Sequence, residues 1–113
     1  MTEQTDATVT VRHVPERHRY EIRVGTARAG LTAYRDHGDQ RVFFHTETDE
    51  AYAGQGLASR LVGEALTAVR EEGLRVVPVC PYVKKYLSRH EEFADLADPV
   101  TPEIVQWLES VLR

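Results

Sequence analysis

The chain has 113 residues, 42% of them hydrophobic and 28% charged, and its formal net charge at pH 7 is −4. This length and composition predict a single globular domain over residues 1–113 with one buried core. The acidic balance argues against nucleic acid as the main partner, because a phosphate backbone requires a dominant basic surface. No apolar run approaches the roughly 18 residues of a membrane span, and no leader pattern is present. We therefore expect a cytoplasmic protein without a membrane partner.

Cys80 is the only cysteine in the sequence. An internal disulfide is therefore impossible, which favours a reducing compartment and leaves one thiol free for chemistry. The histidines His13, His18, His37 and His90 have no metal-ligand spacing, so they are interpreted as surface residues and no metal site is predicted. The polar residues 1–7 are expected to be flexible.

The first half of the chain alternates apolar and polar residues, which is typical of half-buried strands. The four predicted strands span residues 8–14, 17–24, 27–36 and 41–48. Short turns between them predict an antiparallel meander. Only Pro15 and Glu16 separate the first two strands, so no helix is expected between residues 13 and 18.

The second half changes to helical spacing, interrupted by one β-rich run. The predicted helices span residues 57–73, 82–90 and 101–113, and the β-rich run spans residues 74–80. Pro78 cannot donate a ladder hydrogen bond, so this fifth strand is expected at the sheet edge. A strand–helix–strand unit makes strands four and five parallel through a right-handed crossover. The predicted fold class is α/β: a mixed five-stranded sheet, an antiparallel meander followed by a β-α-β crossover.

A glycine-containing loop, AYAGQGLAS, lies between the fourth strand and the first helix. Gly54 and Gly56 allow the backbone to curl so that several amide N–H groups point the same way. The helix start adds its dipole, which makes a site suited to a diphosphate. Ser59 and Arg60, in the first helical turn, are placed to add contacts. The alternative is a plain strand-to-helix turn that uses glycine for its shape.

Three segments together resemble the GNAT-type N-acetyltransferase superfamily: HTET at 45–48, the glycine loop at 51–59 and RVVPVCPYV at 75–83. Gly56 and Ala58 match the two small residues of that superfamily's coenzyme A loop. Ala53 stands where its members carry Arg or Gln, which is a departure. The order His-Thr-Glu, Gly-x-Gly-x-Ala and Cys-Pro-Phe/Tyr-Val is similar to that of its very short members. The resemblance extends over roughly residues 8–93.

This resemblance implies that acetyl-CoA is the cosubstrate and that its pantetheine arm lies between splayed fourth and fifth strands, where acyl-CoA N-acyltransferases hold it. Backbone groups of the fourth strand would pair with the arm, while the loop and the next helix would contact the phosphates. The cofactor-binding residues predicted in this way are Thr46, Glu47, Thr48, Gly54, Gln55, Gly56, Leu57, Ala58, Ser59, Arg60, Pro81, Lys84 and Lys85.

Cys80 precedes a predicted helix, and a helix N-terminus favours the reactive thiolate form. Cys80 is therefore the predicted acetyl-accepting nucleophile. Strand alternation places Arg41, Phe43, His45 and Glu47 on one face, and His45 is predicted to meet Cys80 across the cleft as a base. The alternatives are a buried structural cysteine and a histidine packed on the sheet.

In ordinary members of the superfamily a tyrosine after the fifth strand acts as general acid, and that position falls at Leu87, one residue after Tyr86. The usual acid is therefore expected to be missing. Ordinary members also place helices between the first two strands, so an open acceptor side is expected here. The predicted function is acetyl transfer to an unknown amine, large or protein-borne. The alternatives are an acyl-CoA-binding module without turnover and an interaction domain with a degenerate site.

Overall fold

The structure, a computed structural model, describes residues 8–113, so the flexibility expected of residues 1–7 concerns a segment outside the described range. The strands are β1 (Val9–Val14), β2 (Arg19–Val24), β3 (Ala27–His37), β4 (Gln40–Thr48) and β5 (Arg75–Pro78). The helices are α1 (Leu57–Glu71), α2 (Pro81–Arg89) and α3 (Pro102–Val111). None of the helices in residues 8–113 has both the length and the apolar character needed to cross a bilayer.

The strands form one five-stranded sheet in chain order, β1-β2-β3-β4-β5. The first three pairings are antiparallel and β4 pairs with β5 in parallel, with α1 as the crossover. This arrangement confirms the predicted mixed sheet. β5 lies at the sheet edge, where Pro78 lacks an N–H at little cost.

The two faces of the sheet are covered unequally. On the face that we call the α1 face, Tyr20, Ile22, Tyr34 and Phe43 pack against the apolar stripe of α1 in the main core. That stripe consists of Leu57, Leu61, Val62, Ala65, Leu66 and Val69. The opposite face, the α3 face, has a smaller cluster in which Val42 of β4 and Val77 of β5 contact α3.

A β-bulge in β4 changes which side chains share a face. Tyr34 of β3 pairs with Phe43, but the preceding Ala33 pairs with His45, so Phe44 is an extra residue in the ladder. An extra residue reverses the alternation beyond it. The prediction that Phe43 and His45 share a face is therefore wrong, because regular alternation takes no account of a bulge.

The connection between β1 and β2 is one 3₁₀ turn, Pro15–Arg17. The sequence predicted no helix in this interval, and the single turn is a small difference that Pro15 explains, since its fixed φ suits a first helical position. A single turn is too short to enclose an acceptor pocket. Two further 3₁₀ segments, Glu50–Tyr52 and Glu91–Leu96, also went unpredicted.

Candidate functional site

β4 and β5 separate at a defined point and leave a gap between them. Their pairing ends at Phe43 and Pro78, and the Cys80 N–H then donates to the Phe43 carbonyl at 2.8 Å. β4 continues to pair with β3 as far as Thr48. On its β5 side, residues 44–48 have no partner strand within the described chain. This free edge offers backbone donors and acceptors to an extended ligand.

Thr46 and Cys80 lie together where the gap begins. The Thr46 Oγ1 is 3.4 Å from the Cys80 Sγ and 2.8 Å from the Oγ1 of the fully buried Thr32. Cys80 is the N-cap residue of α2, and its side chain is only 3% exposed. The thiol therefore lies on the α1 face beside a threonine hydroxyl, and solvent reaches it only if the gap opens.

His45 lies on the α3 face, away from Cys80. Neighbouring strand residues point to opposite faces, and Thr46 is the one directed toward the thiol. The His45 Nε2–H donates to Glu47 Oε1 at 2.8 Å, and the two side chains are 55% and 57% exposed. The structure thus does not bring His45 and Cys80 together as predicted, because the bulge turned His45 outward. In the neutral form of the ring with Nε2 donating, Nδ1 carries the lone pair.

The start of α1 presents backbone amides without side-chain caps. Gly54 and Gly56 have φ values of 81° and 72°, in the left-handed region that favours glycine. Gly56 is the N-cap residue, makes no side-chain cap, and is followed by a first turn without acidic residues. A Cβ on either glycine would meet nothing within 4 Å. The first amides of α1 are therefore available to an anion.

A cavity of about 250 Å³ lies between the start of α1 and the outer face of α2. It is lined by Ser59, Tyr82, Lys85, Tyr86, Arg89 and His90. Two basic side chains thus lie near the uncapped amides. The sequence reasoning missed Tyr82 and His90, although the four-residue spacing of Tyr82, Tyr86 and His90 on one helix face was a usable signal.

Tyr86 has a packing role in this cavity. Its ring stacks on His90, with centroids 3.8 Å apart and planes 9° from parallel. A Cβ at Gly63 of α1 would lie 2.6 Å from the Tyr86 hydroxyl, so the two helices touch at this point. Burial raises the pKa of the Tyr86 hydroxyl, and the negative charge of Glu92 raises it further. His90, interpreted from the sequence as a surface residue, is partly covered by this stack.

The other predicted cofactor residues differ in their contacts and in their exposure. Arg60 donates to Glu64 at 2.8 Å and to the Val9 carbonyl at 3.1 Å, so its guanidinium is directed toward β1. Lys84 is exposed and does not line the α1–α2 cavity, unlike Lys85. Pro81 is the first residue of α2. Gln55 is exposed, Ala58 half-buried, and Leu57 buried in the core.

The residues of the described chain form no cluster of three or more His, Cys, Asp or Glu side chains that would bind a metal ion. The groups gathered at the gap are instead backbone amides, hydroxyls, one thiol and basic side chains. Such groups bind a ligand with an extended, uncharged arm and a phosphate group better than they bind a metal ion.

Known proteins resemble this chain in sequence and in fold. A family model of GCN5-related N-acetyl-transferases matches residues 19–96. Protein NATD1 of Mus musculus is 29% identical over 84 residues, which cover 73% of this chain and 76% of that protein. Protein NATD1 of Danio rerio is 32% identical over 82 residues, covering 71% and 74%. The NMR structure of a GCN5-like protein from Staphylococcus aureus has 16% identity and a TM-score of 0.62, over 88% of this chain and 95% of that chain, and shares the fold.

Proposed function

The chain belongs to the GCN5-related N-acetyltransferases, and from that premise we propose that it binds acetyl-CoA between β4 and β5 and transfers the acetyl group to an amine. One observation carries the proposal: the free edge at residues 44–48 is followed, after the connection 49–56, by the uncapped start of α1. Coenzyme A has matching parts in the same order, since its extended pantetheine arm is followed by a diphosphate.

The coenzyme would use backbone groups more than side chains. Its pantetheine arm pairs with the free edge, along Thr46, Glu47 and Thr48. Its diphosphate accepts from amides of residues 54–59, where the helix dipole favours negative charge. Lys85 and Arg89, which line the α1–α2 cavity, are placed to pair with the remaining phosphate charge. Lys85 and Arg89 are both exposed, so they can reach a phosphate without disturbing the core.

The acetyl group would lie where β4 and β5 separate. In direct transfer the amine nitrogen attacks the thioester carbonyl, the C–N bond forms, the C–S bond breaks, and coenzyme A leaves as a thiolate. The proton lost by the amine goes to a base, for which Nδ1 of the neutral His45 ring is an exposed candidate on the α3 face. Glu47 holds the ring and stabilises the imidazolium that forms.

A second route passes through Cys80. The Cys80 sulfur attacks the thioester carbonyl, the C–S bond to coenzyme A breaks, and the thiol proton ends on the departing coenzyme A sulfur. An amine then attacks the acetyl-cysteine, the C–S bond to Cys80 breaks, and the amine proton returns to the cysteine sulfur, which gives the same amide. Thr46 is the side chain that contacts this thiol, at 3.4 Å, and it replaces His45 as the neighbour that orients it. The route requires the buried thiol to be uncovered as the arm enters the gap.

The acceptor side is open because a single 3₁₀ turn joins β1 and β2. An open site suits an amine carried by a polypeptide, since a small free amine would need walls that this turn cannot supply.

The test combines titration calorimetry of coenzyme A and acetyl-CoA with a transfer assay that uses labelled acetyl-CoA and a lysine-containing peptide. Binding, release of coenzyme A and labelled peptide would support the proposal. Binding without release in any assay indicates an acyl-CoA-binding module, and no binding at millimolar concentration indicates an interaction domain. Intact mass after mixing separates the two routes: an acetyl-enzyme absent from Cys80→Ala, which still binds coenzyme A, indicates the cysteine route.

A further inference from the structure

An arginine-lined groove of about 460 Å³ lies on the α3 face over β1 and β2. α3 covers β4 and β5, so no helix of the described chain lies over this part of the sheet. Its basic lining residues are Arg12, Arg17, Arg19, Arg23 and Arg28, and its acidic ones are Glu16 and Glu21. Arginines exceed carboxylates by three in a protein whose net charge is −4. We call this surface the arginine groove.

One of the two carboxylates is already neutralised inside the groove. Glu21 is 3% exposed and accepts from Arg19 at 2.7 Å and from Arg23 at 3.1 Å. Burial acts to raise the pKa of Glu21, but the hydrogen bonds from Arg19 and Arg23 outweigh it and lower that pKa overall. Glu21 is therefore ionised, and it fixes two guanidinium groups in the groove floor.

Within the described residues, part of the positive charge in the groove has no ionic partner. The ion pairs among residues 8–113 do not include Arg12, Arg17 or Arg28. The Arg23 Nε is buried and has no hydrogen-bond partner in the described chain. A buried N–H without an acceptor is uncommon in a folded protein. These donors match carboxylates, which guanidinium groups bind with two hydrogen bonds.

The strand register relates the groove to the acetyl site. Arg19 pairs with Ala33, and Ala33 pairs with His45, so Arg19 and His45 lie in one row across the α3 face. Neighbouring strands are about 4.8 Å apart, which places the middle of β1 and β2 roughly 15 Å from the gap beyond β4. Arg28 also lines a small cleft with Glu47 and Asp49. The face is therefore basic over β1 and β2 and acidic beside the gap.

Resting on the function proposed above, we propose that the acceptor is a polypeptide whose reactive amine is followed or preceded, about four to five residues away, by acidic side chains. An extended chain rises about 3.3 Å per residue, so that spacing covers the roughly 15 Å between the groove and the gap. The carboxylates occupy the arginine groove, and the amine reaches Glu47 beside the gap.

The composition of the groove favours an acidic peptide over a nucleic acid. Glu16 interrupts the positive surface, and none of the described residues that line the groove is a Phe, Tyr or Trp that would stack on a base. The net charge of −4 also repels a long polyanion. A short run of two or three carboxylates satisfies the groove without extending over acidic surface.

The test uses fluorescent, N-terminally blocked peptides that contain one lysine. The first has three glutamates starting five residues from the lysine, the second replaces them with glutamines, and the third places them directly beside the lysine. Binding is followed by anisotropy at low and high salt, and acetylation by mass spectrometry. The double variant Arg12→Gln/Arg17→Gln is compared with Arg12→Lys/Arg17→Lys, which keeps the charge.

We expect the first peptide to bind and to react best. Its affinity should fall about three- to tenfold in the protein variant Arg12→Gln/Arg17→Gln, and Arg12→Lys/Arg17→Lys should largely avoid this loss. High salt should reduce the same difference. Equal binding of the first two peptides, or displacement of the acidic peptide by a short single-stranded oligonucleotide at lower concentration, would overturn the inference. Selective binding of the acidic peptide with no acetylation of any peptide would instead count against the proposed function alone.

Discussion

Phe44 determines which side chains surround the proposed acetyl site. As the extra residue of the β4 bulge, it places Thr46 beside Cys80 and turns His45 toward the opposite face. Without the bulge, regular alternation would put His45 where Thr46 is. The single extra residue Phe44 thus separates the thiol from the imidazole. As a result, Cys80 lies on the α1 face of the gap and His45 on the α3 face.

His13 illustrates a different effect at the residue scale. Its ring stacks on Tyr20, with centroids 4.3 Å apart, and its Nε2 is hydrogen-bonded to the Tyr34 hydroxyl. The sequence had placed it simply on the surface. Burial lowers the pKa of His13 below 6.5, and the Arg41 charge lowers it further, although Glu72, Asp36 and Glu16 oppose the shift.

His13 should therefore make the protein less stable in acid. The unfolded chain takes up the His13 proton near pH 6.5, before the folded protein does, so stability falls as the pH drops from about 6.5 toward the lower folded-state pKa. The loss should stay below about 1 kcal/mol, because His13 is partly exposed and screened. Urea unfolding at pH 7.5 and pH 5.5 measures it. His13→Gln should lose less over this interval, and an equal loss in both proteins would contradict the assignment.

At the scale of elements, the starts of α1 and α3 differ in how their first backbone amides are capped. Thr101 caps α3, its side chain accepting from the Ile104 N–H at 3.2 Å. Gly56 gives α1 no such bond. A side-chain cap stabilises a helix by about 1 kcal/mol, so its absence at α1 leaves donors available for a ligand at some cost in stability.

Gly56→Val tests this role against a matched control, Gly25→Val. Gly25 has a φ of 61°, and a Cβ on it, as on Gly56, would meet nothing within 4 Å. Both variants should lose about 1–2 kcal/mol, because a β-branched residue is strained at positive φ. Only Gly56→Val should also bind coenzyme A at least tenfold more weakly by calorimetry. Unchanged affinity in Gly56→Val would locate the phosphate site elsewhere.

For the whole molecule, Arg41 joins strands and a helix at the end of the sheet remote from the gap. It donates to Tyr20 of β2 at 2.6 Å, to Asp36 of β3 at 2.8 and 2.9 Å, and to Glu72 at 3.3 Å, just after α1. Its guanidinium also lies 4.2 Å from the Tyr34 ring centre. Burial raises the pKa of Tyr34 to about 12, so both tyrosines remain neutral hydrogen-bonding partners.

Arg41→Met should therefore destabilise the fold by about 2 kcal/mol, since it leaves the buried Tyr20 hydroxyl without its partner and removes the ion pairs to the half-exposed Asp36 and Glu72. The control is Arg75→Met, which removes an ion pair to Asp98 whose side chains are 40% and 21% exposed. The control should lose less than about 1 kcal/mol. Chemical unfolding followed by circular dichroism measures both. Comparable losses would mean that the Arg41 network contributes no more than a surface pair.

Much of the architecture was predictable because it depends on local patterns. Alternating residues such as Tyr20, Ile22 and Val24 specify a half-buried strand wherever it lies, and the apolar stripe of α1 specifies a helix. Pro78 restricts β5 to an edge by removing one donor. The glycine loop was visible for the same reason, since left-handed backbone at Gly54 and Gly56 is a local property.

Only the tertiary structure decided how the elements pair and pack against one another. The bulge at Phe44 depends on how β3 pairs with β4, and no periodicity within β4 reveals it. That one register shift separated His45 from Cys80, and packing in the main core buried the thiol. The arginine groove likewise draws residues from three strands and a turn. Sequence patterns specify what each segment becomes, whereas contacts between distant segments depend on the pairing register and packing that form when the chain folds.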